Sequence, residues 1–330
     1  MREYYEREAL NYSTLAAMDS YNPGSAFDDD SYREMSIAMI KGSLVDCLLT
    51  SPDEYDSLFE IQEEISLTKS ISDIIDKLVE MNMEYTDSNI LFIAEEMNYG
   101  GKNWKNDTIL KNLKTEDSRR YYDRKKLNNT KTIITQELYD KAAIVVETLK
   151  NHEFSRWIFE ENNNVEVLYQ VPIYWNDGKN DCKALLDILI IDHEHRLIYP
   201  IDLKTKSESV YSFSKSFIRF KYYLQAAWYT KAVKYIRDEK YPSYNIENFR
   251  FLVTSFEYPD PPIIYVCDDI TLDVGLYGGI LTNGEQVKGV IELQNDFNWY
   301  KRGESRYPRH IASSKGVVTL SLFASSLNNY

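Results

Sequence analysis

The middle of the chain changes from a helical to a strand-like pattern of apolar residues. Apolar and polar residues alternate over 165–173, and two apolar runs follow at 184–191 and 197–204. A turn signal at 176–178 separates the first two runs, and a polar loop at 192–196 separates the last two. Short loops of this kind connect antiparallel neighbours, so the sequence predicts a three-stranded antiparallel meander.

Both flanks of this region show helical spacing, with apolar residues recurring every three or four positions. The spacing predicts a helix over 31–49, another from Thr135 onward and a third over 217–237. Asparagine, proline and glycine at 22–24 predict a break before the first of these helices. We therefore expect residues 1–100 to form a helical cover.

Two further strand candidates, 249–255 and 262–267, follow the third helix. Together the elements predict an α/β fold, a mixed β-sheet core flanked by helices with an N-terminal helical part. We divide the chain into a mainly helical part at 1–134, a core at 135–270 and a C-terminal extension at 271–330. All three are expected to form one compact unit.

Composition supports a folded protein, since 330 residues with 43% hydrophobic side chains can bury a core. The N-terminus is charged and no apolar run approaches the ~18 residues of a membrane span. We therefore expect no secretory signal and no membrane partner. Cys47, Cys182 and Cys267 lie too far apart for a disulfide framework or a Cys-x-x-Cys zinc site, which favours a reducing cytoplasm.

The net charge of −14 argues against a protein that binds nucleic acid over its whole surface. The charge is unevenly distributed, because 28–96 holds 18 acidic and 4 basic residues. Two segments are basic, with 10 basic and 4 acidic residues in 102–131 and 8 basic and 2 acidic residues in 201–237. Charge alone fits two interpretations, solvated faces or local nucleic-acid-binding surfaces.

Asp187, Asp202 and Lys204 carry the clearest chemical signal. A turn centred in 193–196 places position 187 opposite 202, so the two carboxylates become cross-strand neighbours with Cβ atoms ~5 Å apart. Because strand side chains alternate, Lys204 shares a face with Asp202. Two carboxylates so close on largely apolar strands need a positive neighbour, and one divalent cation can bridge them.

Oxygen ligands, a hard metal and a nearby lysine suit phosphodiester hydrolysis. The metal lowers the pKa of a bound water, while the lysine orients that water or stabilises developing charge. Mg²⁺ or Mn²⁺ fits an all-oxygen site better than zinc. The alternative on spacing alone is structural, a buried Asp202–Lys204 ion pair or an edge aspartate in a hairpin. His193 and His195 form a His-x-His pair, more typical of a solvated turn than of a zinc site.

The motif of Asp187, fourteen intervening residues and the triplet Asp202–Lys204 resembles the core of the PD-(D/E)xK nuclease superfamily. Downstream, Gln225 and Tyr229 resemble the Gln-x-x-x-Tyr motif of its RecB and lambda-exonuclease branch. At a spacing of four these two residues share one helix face.

An upstream segment, 41–52, resembles the Gly-x-x-x-His-x-x-Leu-x-x-Pro segment of RecE-type phage exonucleases, beginning at Gly42. That family has a metal-ligating histidine where this chain has Asp46. The departure keeps an oxygen ligand at the position. Glu166 of the first strand fits an additional acidic ligand and a solvated edge residue equally well.

The resemblance implies a restriction-endonuclease-like core and a role for individual residues. The implied catalytic residues are Asp187, Asp202, Lys204, Gln225 and Tyr229. The implied metal ligands for Mg²⁺ or Mn²⁺ are Asp46, Asp187, Asp202, Leu203 and Glu166.

Nucleic-acid contacts are expected from two sources. RecE-type proteins tend to be basic at the position of Lys183, which would meet a phosphate. The basic segments are expected to face the duplex near Asp187, with the acidic stretch 28–96 mostly on an outer face. The basic residues concerned are Lys206, Lys215, Arg219, Lys221, Arg119, Arg120, Lys125 and Lys126.

The resemblance implies a metal-dependent DNA exonuclease that resects linear duplex ends, 5′ to 3′, to give single strands for recombination. It also implies a homo-oligomer, a ring in those relatives, a single-strand annealing partner, and the cytoplasm of a bacterial or phage-infected cell. One alternative is a RecB-like nuclease acting on single-stranded or flap DNA. Another is a catalytically idle DNA-binding or assembly subunit, which the intact Asp187, Asp202, Lys204 and Gln225 disfavour.

Overall fold

A computed structural model describes residues 2–19, 35–62, 65–100, 104–126, 131–281 and 284–302, together with 315 and 317. The chain forms two compact units. The large unit comprises Met1–Pro52 and Lys141–Tyr330, and the small unit comprises Asp53–Asp140. The small unit is thus an insertion in the sequence of the large one, whereas the sequence analysis proposed three consecutive parts.

Helices predominate in the first part of the described chain, and most strands follow Asn151. The helices are α1 (Arg2–Glu6), α2 (Tyr12–Met18), α3 (Ile37–Thr50), α4 (Tyr55–Leu58), α5 (Lys69–Glu80), α6 (Asp87–Glu96), α7 (Asn106–Leu113), α8 (Glu116–Lys126), α9 (Gln136–Asn151), α10 (Phe213–Arg219), α11 (Tyr222–Lys240), α12 (Asp269–Tyr277) and α13 (Val290–Lys301). The strands are β1 (Phe59–Ile61), β2 (Thr132–Ile134), β3 (Val165–Asn176), β4 (Asp181–Asp192), β5 (Leu197–Lys206), β6 (Asn245–Ile246), β7 (Arg250–Ser255), β8 (Ile263–Val266), β9 (Gly279–Ile280) and β10 (Gln286–Val287).

A mixed sheet forms the centre of the large unit. Within the described residues it has six strands, in the order β3-β4-β5-β7-β8, with β6 also paired to β5. Strands β3, β4 and β5 form the antiparallel meander, β5 runs parallel to β6 and β7, and β8 is antiparallel to β7. The predicted mixed α/β fold with its antiparallel meander is confirmed.

The loop between β4 and β5 is a tight turn. Arg196 has φ 56°, in the left-handed region, and closes the turn. The carboxylate of Asp192 accepts hydrogen bonds from the backbone N–H of His195 at 2.9 Å and from its ring Nδ1 at 2.8 Å. These bonds explain why a polar loop of this length fixes the register of the two strands that it joins.

Two helices, α10 and α11, lie where the sequence predicted one continuous helix over 217–237. Lys221 stands between them with φ 55°, and this left-handed residue interrupts the helical hydrogen bonds. Leu224 and Trp228 of α11 are then fully buried, and Trp228 Nε1 donates to the backbone oxygen of Lys183 at 3.1 Å. The helix pair thereby covers the sheet and connects β5 to its parallel neighbour.

Helix α3 packs on the sheet, against β4 and β5. It begins after Ser36, whose hydroxyl accepts a hydrogen bond from the Met39 N–H at 3.3 Å. The predicted start at 31–34 and the predicted break at 22–24 lie outside the described residues. Helix α9 begins one residue after Thr135, whose hydroxyl accepts the N–H of Leu138 at 3.1 Å, so this predicted helix start is confirmed.

The small unit has a core of its own. Strand β1 pairs in parallel with β2, although the sequence analysis expected only helical cover before residue 100. A three-residue strand has no local periodicity, and its partner lies far along the chain, which explains the difference. The buried core residues of the small unit are Ile74, Ile75, Leu78, Ile90, Ile93, Ala94, Leu113 and Tyr122.

No helix of the described residues is both long enough and apolar enough to cross a membrane.

Candidate functional site

Strands β4 and β5 bring the two predicted carboxylates together. Their backbone pairing ends at Ile188↔Ile201, so Asp187 and Asp202 occupy the next position of the predicted register. The strands separate here, and Asp187 Oδ2 accepts a hydrogen bond from the Leu203 N–H at 2.8 Å. A side-chain oxygen thus replaces the backbone acceptor where the strand pairing ends.

Asp202 is the most enclosed of the site carboxylates, with 2% of the residue exposed. Gln225 Nε2 on α11 donates to its Oδ1 at 2.6 Å. Lys204 Nζ lies 2.7 Å from its Oδ2 and forms an ion pair. The ammonium donates to this Oδ2, and because a carboxylate oxygen can accept a second hydrogen bond, Oδ2 keeps acceptor capacity.

Lys204 reaches the carboxylates from the same face of β5. Its ammonium lies 4.7 Å from the centre of the Tyr222 ring, and 20% of its side chain is exposed. Burial lowers the pKa of this lysine, but the negative charge of Asp202, with Tyr222 and Asp187, raises it by more. The net shift of the lysine pKa is upward, so Lys204 stays positively charged at neutral pH.

Helix α3 contributes a third carboxylate, Asp46. Gln170 Nε2 on β3 donates to its Oδ1 at 3.0 Å and to its Oδ2 at 3.1 Å. The same nitrogen donates to Thr50 Oγ1 at 3.0 Å, and Thr50 in turn donates to the backbone oxygen of Asp46 at 2.7 Å. Asp46 is therefore fixed in place by a residue of the sheet, Gln170, and by a residue of its own helix, Thr50.

The three carboxylates share a rise in pKa. Asp46 and Asp187 keep part of their surface exposed, yet protein atoms surround the carboxylates and burial is the main cause for each. Burial, followed by the charge of Asp202, raises the pKa of Asp46 to about 6. Burial and the charges of Asp202 and Asp46 raise that of Asp187 well above its usual range. Burial also raises the pKa of Asp202 despite the opposing charge of Lys204.

The donor set fits a hard divalent cation. Three carboxylates face one ammonium, and an oxygen of Asp202 keeps hydrogen-bonding capacity to spare, which a cation would satisfy. Among the described residues, no group of three or more His, Cys, Asp or Glu side chains converges closely enough to enclose an ion. Mg²⁺ usually takes one or two protein carboxylates and keeps several waters. The expected ligands Asp187 and Asp202 match that number, and their binding of a cation stays a prediction.

Helix α11 supplies the two residues of the Gln-x-x-x-Tyr motif. Burial, then the charges of Asp202 and Asp187, raises the pKa of Tyr229 well above its usual range. The phenol therefore stays protonated and can donate a hydrogen bond close to the carboxylates. Tyr12 of α2 lies beside it, with ring centres 6.5 Å apart, and burial also raises its pKa.

Glu166 lies outside this cluster. It is exposed, pairs with Ile191 across β3 and β4, and its carboxylate is 3.7 Å from His193 Nε2. Ile191 is four residues beyond Asp187, a distance of about 13 Å along a strand. The structure therefore does not bring Glu166 to Asp187 and Asp202.

Lys183 faces the N-terminal segment of the chain. Its Nζ donates to the backbone oxygens of Tyr4 at 2.8 Å and Arg7 at 2.7 Å, and only 6% of the residue is exposed. The lysine thus holds the end of α1 against β4. A phosphate contact by Lys183 stays a prediction, and it would require the ammonium to leave these two acceptors.

The other predicted phosphate-binding residues of the large unit have different surroundings. Lys206 is 8% exposed and donates to the Ser216 hydroxyl at 2.7 Å. Lys221 donates to the backbone at the C-terminal end of α2 at 2.7 Å. Lys215 and Arg219 of α10 are exposed. Their contact with DNA stays a prediction, and these last two are the most accessible for it.

Four predicted phosphate-binding residues lie on α8 in the small unit, each beside a carboxylate of the same unit. The ion pairs are Arg119–Asp123 at 2.9 Å, Arg120–Glu116 at 2.8 Å, Lys125–Asp76 at 3.0 Å and Lys126–Glu84. Exposed pairs of this kind contribute little and exchange partners easily. The predicted DNA contact of these four residues stays a prediction.

The sequence analysis missed Gln170 and Thr50. Thr50 could have been found, because it follows Asp46 by four residues and lies directly after the helix predicted over 31–49, and residues at this spacing are neighbours on a helix. Gln170 could not, because its place opposite β4 depends on the length of the β3–β4 loop. That loop is longer than the turn signal at 176–178, since Asp177 N–H donates to the backbone oxygen of Asn180 at 3.1 Å.

No protein-family model and no curated protein matches the chain. Among solved structures, it is similar to a crystal structure from Eubacterium rectale of a protein provisionally described as an exonuclease. The two share 12% identity with a TM-score of 0.36, over 81% of this chain and 99% of that one. A likeness of this size leaves the interpretation of the site to its own geometry.

Proposed function

We propose that the protein is a metal-dependent nuclease that hydrolyses phosphodiester bonds in DNA. The observation that supports it most is the meeting of Asp187 and Asp202 on neighbouring strands, with the Lys204 ammonium 2.7 Å from Asp202. A structural ion pair needs one carboxylate for one ammonium. Asp187 and Asp46 add two further enclosed carboxyl groups, which packing alone does not require and whose charged forms are costly without a cation.

The proposed cation ligands are the carboxylates of Asp187 and Asp202 and the backbone carbonyl of Leu203. A bound Mg²⁺ or Mn²⁺ would supply Lewis acidity toward the phosphate and lower the pKa of a coordinated water. Gln225 fixes the orientation of Asp202 by donating to its Oδ1 at 2.6 Å. Asp187 is oriented by the Leu203 N–H, which leaves its other oxygen for the cation.

Lys204 is proposed to act on the substrate. Its ammonium has three N–H donors and uses the site carboxylates for only part of them. It can therefore donate to the attacking water or to a phosphate oxygen as negative charge develops there. Tyr229 remains protonated and is proposed to donate at the same face, beside Asp202 and Asp187.

The narrower proposal is an exonuclease that resects duplex ends 5′ to 3′ and yields single strands for recombination. It rests on the resemblance of the Asp187, Asp202–Lys204 and Gln225-x-x-x-Tyr229 motifs to the RecE and lambda-exonuclease branch. A ring-shaped homo-oligomer, a single-strand annealing partner and a cytoplasmic location belong to the same proposal.

Linear duplexes labelled at one 5′ or one 3′ end, compared with closed circles in Mg²⁺ or Mn²⁺, test the activity. The proposal expects release of the 5′ label first, intact circles and no cleavage in a chelator. Cleavage restricted to single-stranded or flap DNA would identify the RecB-like alternative. Binding without cleavage under all of these conditions would identify an idle DNA-binding subunit.

Asp187→Asn and Asp202→Asn test the site itself. Each should lower the cleavage rate about 1,000-fold, or about 4 kcal/mol of transition-state stabilisation, because a cation ligand is lost. Asp181→Asn is a matched control, since Asp181 is an exposed carboxylate on the same strand. If a folded Asp187→Asn or Asp202→Asn variant cleaved as fast as this control, the assignment of the site would be wrong.

A further inference from the structure

Gln170 departs from the regular geometry of β3. Its φ is 46°, in the left-handed region that residues other than glycine enter at a cost of about 1 kcal/mol or more. The backbone pairs on both sides, at positions 169 with 188 and 171 with 186, keep a single register. Gln170 therefore stands opposite Asp187 at the one strained position of this strand, a few residues from any turn.

The amide of Gln170 has a specific set of acceptors. Its nitrogen contacts both carboxylate oxygens of Asp46 and the hydroxyl of Thr50, all at 3.0 to 3.1 Å. Asp46 and Thr50 are one turn apart on α3, and Thr50 is itself bonded to the backbone of Asp46 at 2.7 Å. The strained residue thus connects strand β3 to the α3 carboxylate that lies beside the site.

An amide suits this position for an electrostatic reason. Its N–H groups satisfy the Asp46 carboxylate without adding charge, whereas a glutamate at 170 would place a fourth carboxylate beside Asp46, Asp187 and Asp202. A hydrophobic residue would leave Asp46 without these donors. Backbone strain that persists at a polar contact of this kind indicates a functional rather than a packing requirement.

On the basis of the proposed nuclease function, we propose that Gln170 is a positioning residue, which holds the Asp46 carboxylate beside Asp187 and Asp202 so that it supports cation binding. Asp46 would act on the cation through a coordinated water, since the three carboxylates do not enclose an ion among themselves. Gln170 touches neither cation nor DNA in this proposal and acts through Asp46.

Gln170→Gly removes the amide that positions Asp46 and, at the same time, the backbone strain at position 170. Glycine accepts a positive φ, and this gain offsets part of the loss of the donors to Asp46, so the variant should still fold cooperatively, as urea unfolding would show. It lacks the amide, so its dissociation constant for Mn²⁺, measured by electron paramagnetic resonance, should rise about 10-fold. The Mn²⁺ concentration for half-maximal cleavage should rise in parallel, while the rate at saturating Mn²⁺ stays close to that of the wild type.

Two further variants complete the test. Asn82→Gly is the matched control, because Asn82 has φ 50° and lies in the small unit. It should leave Mn²⁺ affinity unchanged. Gln170→Asn tolerates the left-handed region but carries a shorter amide, so it should lose Mn²⁺ affinity as the glycine variant does.

The double variant Gln170→Gly with Asp46→Asn decides whether Gln170 acts through Asp46. It should bind Mn²⁺ no more weakly than Asp46→Asn alone. Additive losses, or an unchanged Mn²⁺ affinity in both Gln170 variants, would overturn the inference while leaving the nuclease proposal intact. A wild type that binds Mn²⁺ without cleaving DNA would overturn the nuclease proposal alone, and one that binds no Mn²⁺ would overturn both.

Discussion

Single residues carry the chemistry of the candidate site. Lys204 is the residue whose structural and chemical roles are hardest to separate. Its ammonium is 2.7 Å from Asp202, which is 2% exposed and so depends on a positive neighbour. The pairing could be purely structural, with the lysine compensating a buried charge. It could also be catalytic, with the lysine held ready for a substrate phosphate. The two roles differ in what is lost when the lysine is removed.

Lys204→Ala should destabilise the metal-free protein by about 3 kcal/mol, because it leaves the buried Asp202 without its ion-pair partner. Saturating Mn²⁺ should restore much of that stability, since a cation takes over the neutralising role. Cleavage should nevertheless stay lost at saturating Mn²⁺ if the lysine acts on the substrate. Urea unfolding with and without Mn²⁺, calorimetric Mn²⁺ titration and cleavage rates measure the three effects. Lost Mn²⁺ affinity in step with lost cleavage would indicate a structural lysine.

Contacts between secondary-structure elements support the sheet that carries the site. The β3–β4 turn makes one of these contacts. Partial burial by itself raises the pKa of Asp177, but hydrogen bonds from the N–H groups of Lys179 and Asn180 outweigh it, and the net shift is downward. Gln294 on α13 donates to the second carboxylate oxygen at 2.5 Å. Asp177 therefore connects the turn of the sheet to a helix near the C-terminus.

Asp177→Ala should lower the free energy of unfolding at neutral pH by about 1 to 3 kcal/mol, because it leaves the buried donors of Asn180 and Gln294 without this acceptor. A carboxylate with a lowered native pKa stabilises the fold above its ordinary pKa, and this stabilisation is lost as the pH falls toward the native value. The difference between wild type and variant should therefore shrink below about pH 4. Urea unfolding at pH 7 and at about pH 2.5 measures it, and an equal difference at both would show that the charge of Asp177 is unimportant.

The contact between α11 and α12 depends on a glycine. A Cβ at Gly275 would lie 2.2 Å from the backbone oxygen of Tyr223 and 2.8 Å from the Cβ of Ala227, both on α11. Gly275→Ala should therefore force the helices apart and destabilise the large unit by about 3 kcal/mol. Gly42→Ala is the matched control, since Gly42 lies inside α3 with nothing within 4 Å of a Cβ. It should stabilise the protein by about 0.5 to 1 kcal/mol in the same urea unfolding experiment.

On the scale of the whole molecule, the question is how a chain of charge −14 would hold DNA. The acidic and basic segments that the sequence separates are partly paired within the small unit, where Lys125 contacts Asp76 at 3.0 Å. Reversal of such a lysine to glutamate would set acid against acid and disturb folding. Neutral glutamine variants therefore test DNA binding better than charge reversals.

Changing the four basic residues of α8 to glutamine should weaken DNA binding and reduce the slope of log affinity against log salt, by roughly 3 to 4 if all four contact phosphates. The residues are Arg119, Arg120, Lys125 and Lys126. Glu60→Gln is the control in the same unit, and it should change neither quantity. An unchanged slope would assign these four residues to solvated ion pairs and move the expected DNA path to Lys215 and Arg219.

The sequence by itself determined the meander, its register and the meeting of Asp187 with Asp202. These follow from local information, because strand periodicity and the length of the turn at 192–196 fix which residues of one hairpin lie opposite each other. The helix beginning after Thr135 also followed from local information, the spacing of its apolar residues and the capping threonine. Lys204 followed from the alternation of side chains on β5.

The tertiary structure decided what depends on distant segments. It set Gln170 against Asp46, because the β3–β4 loop length and the left-handed backbone at 170 carry no periodic signal. It placed Glu166 away from the carboxylates, buried Lys183 under α1 and divided the predicted helix at Lys221. Pairing, burial and charge compensation between remote residues are set by the packing of whole elements, and no local pattern in a single chain encodes them.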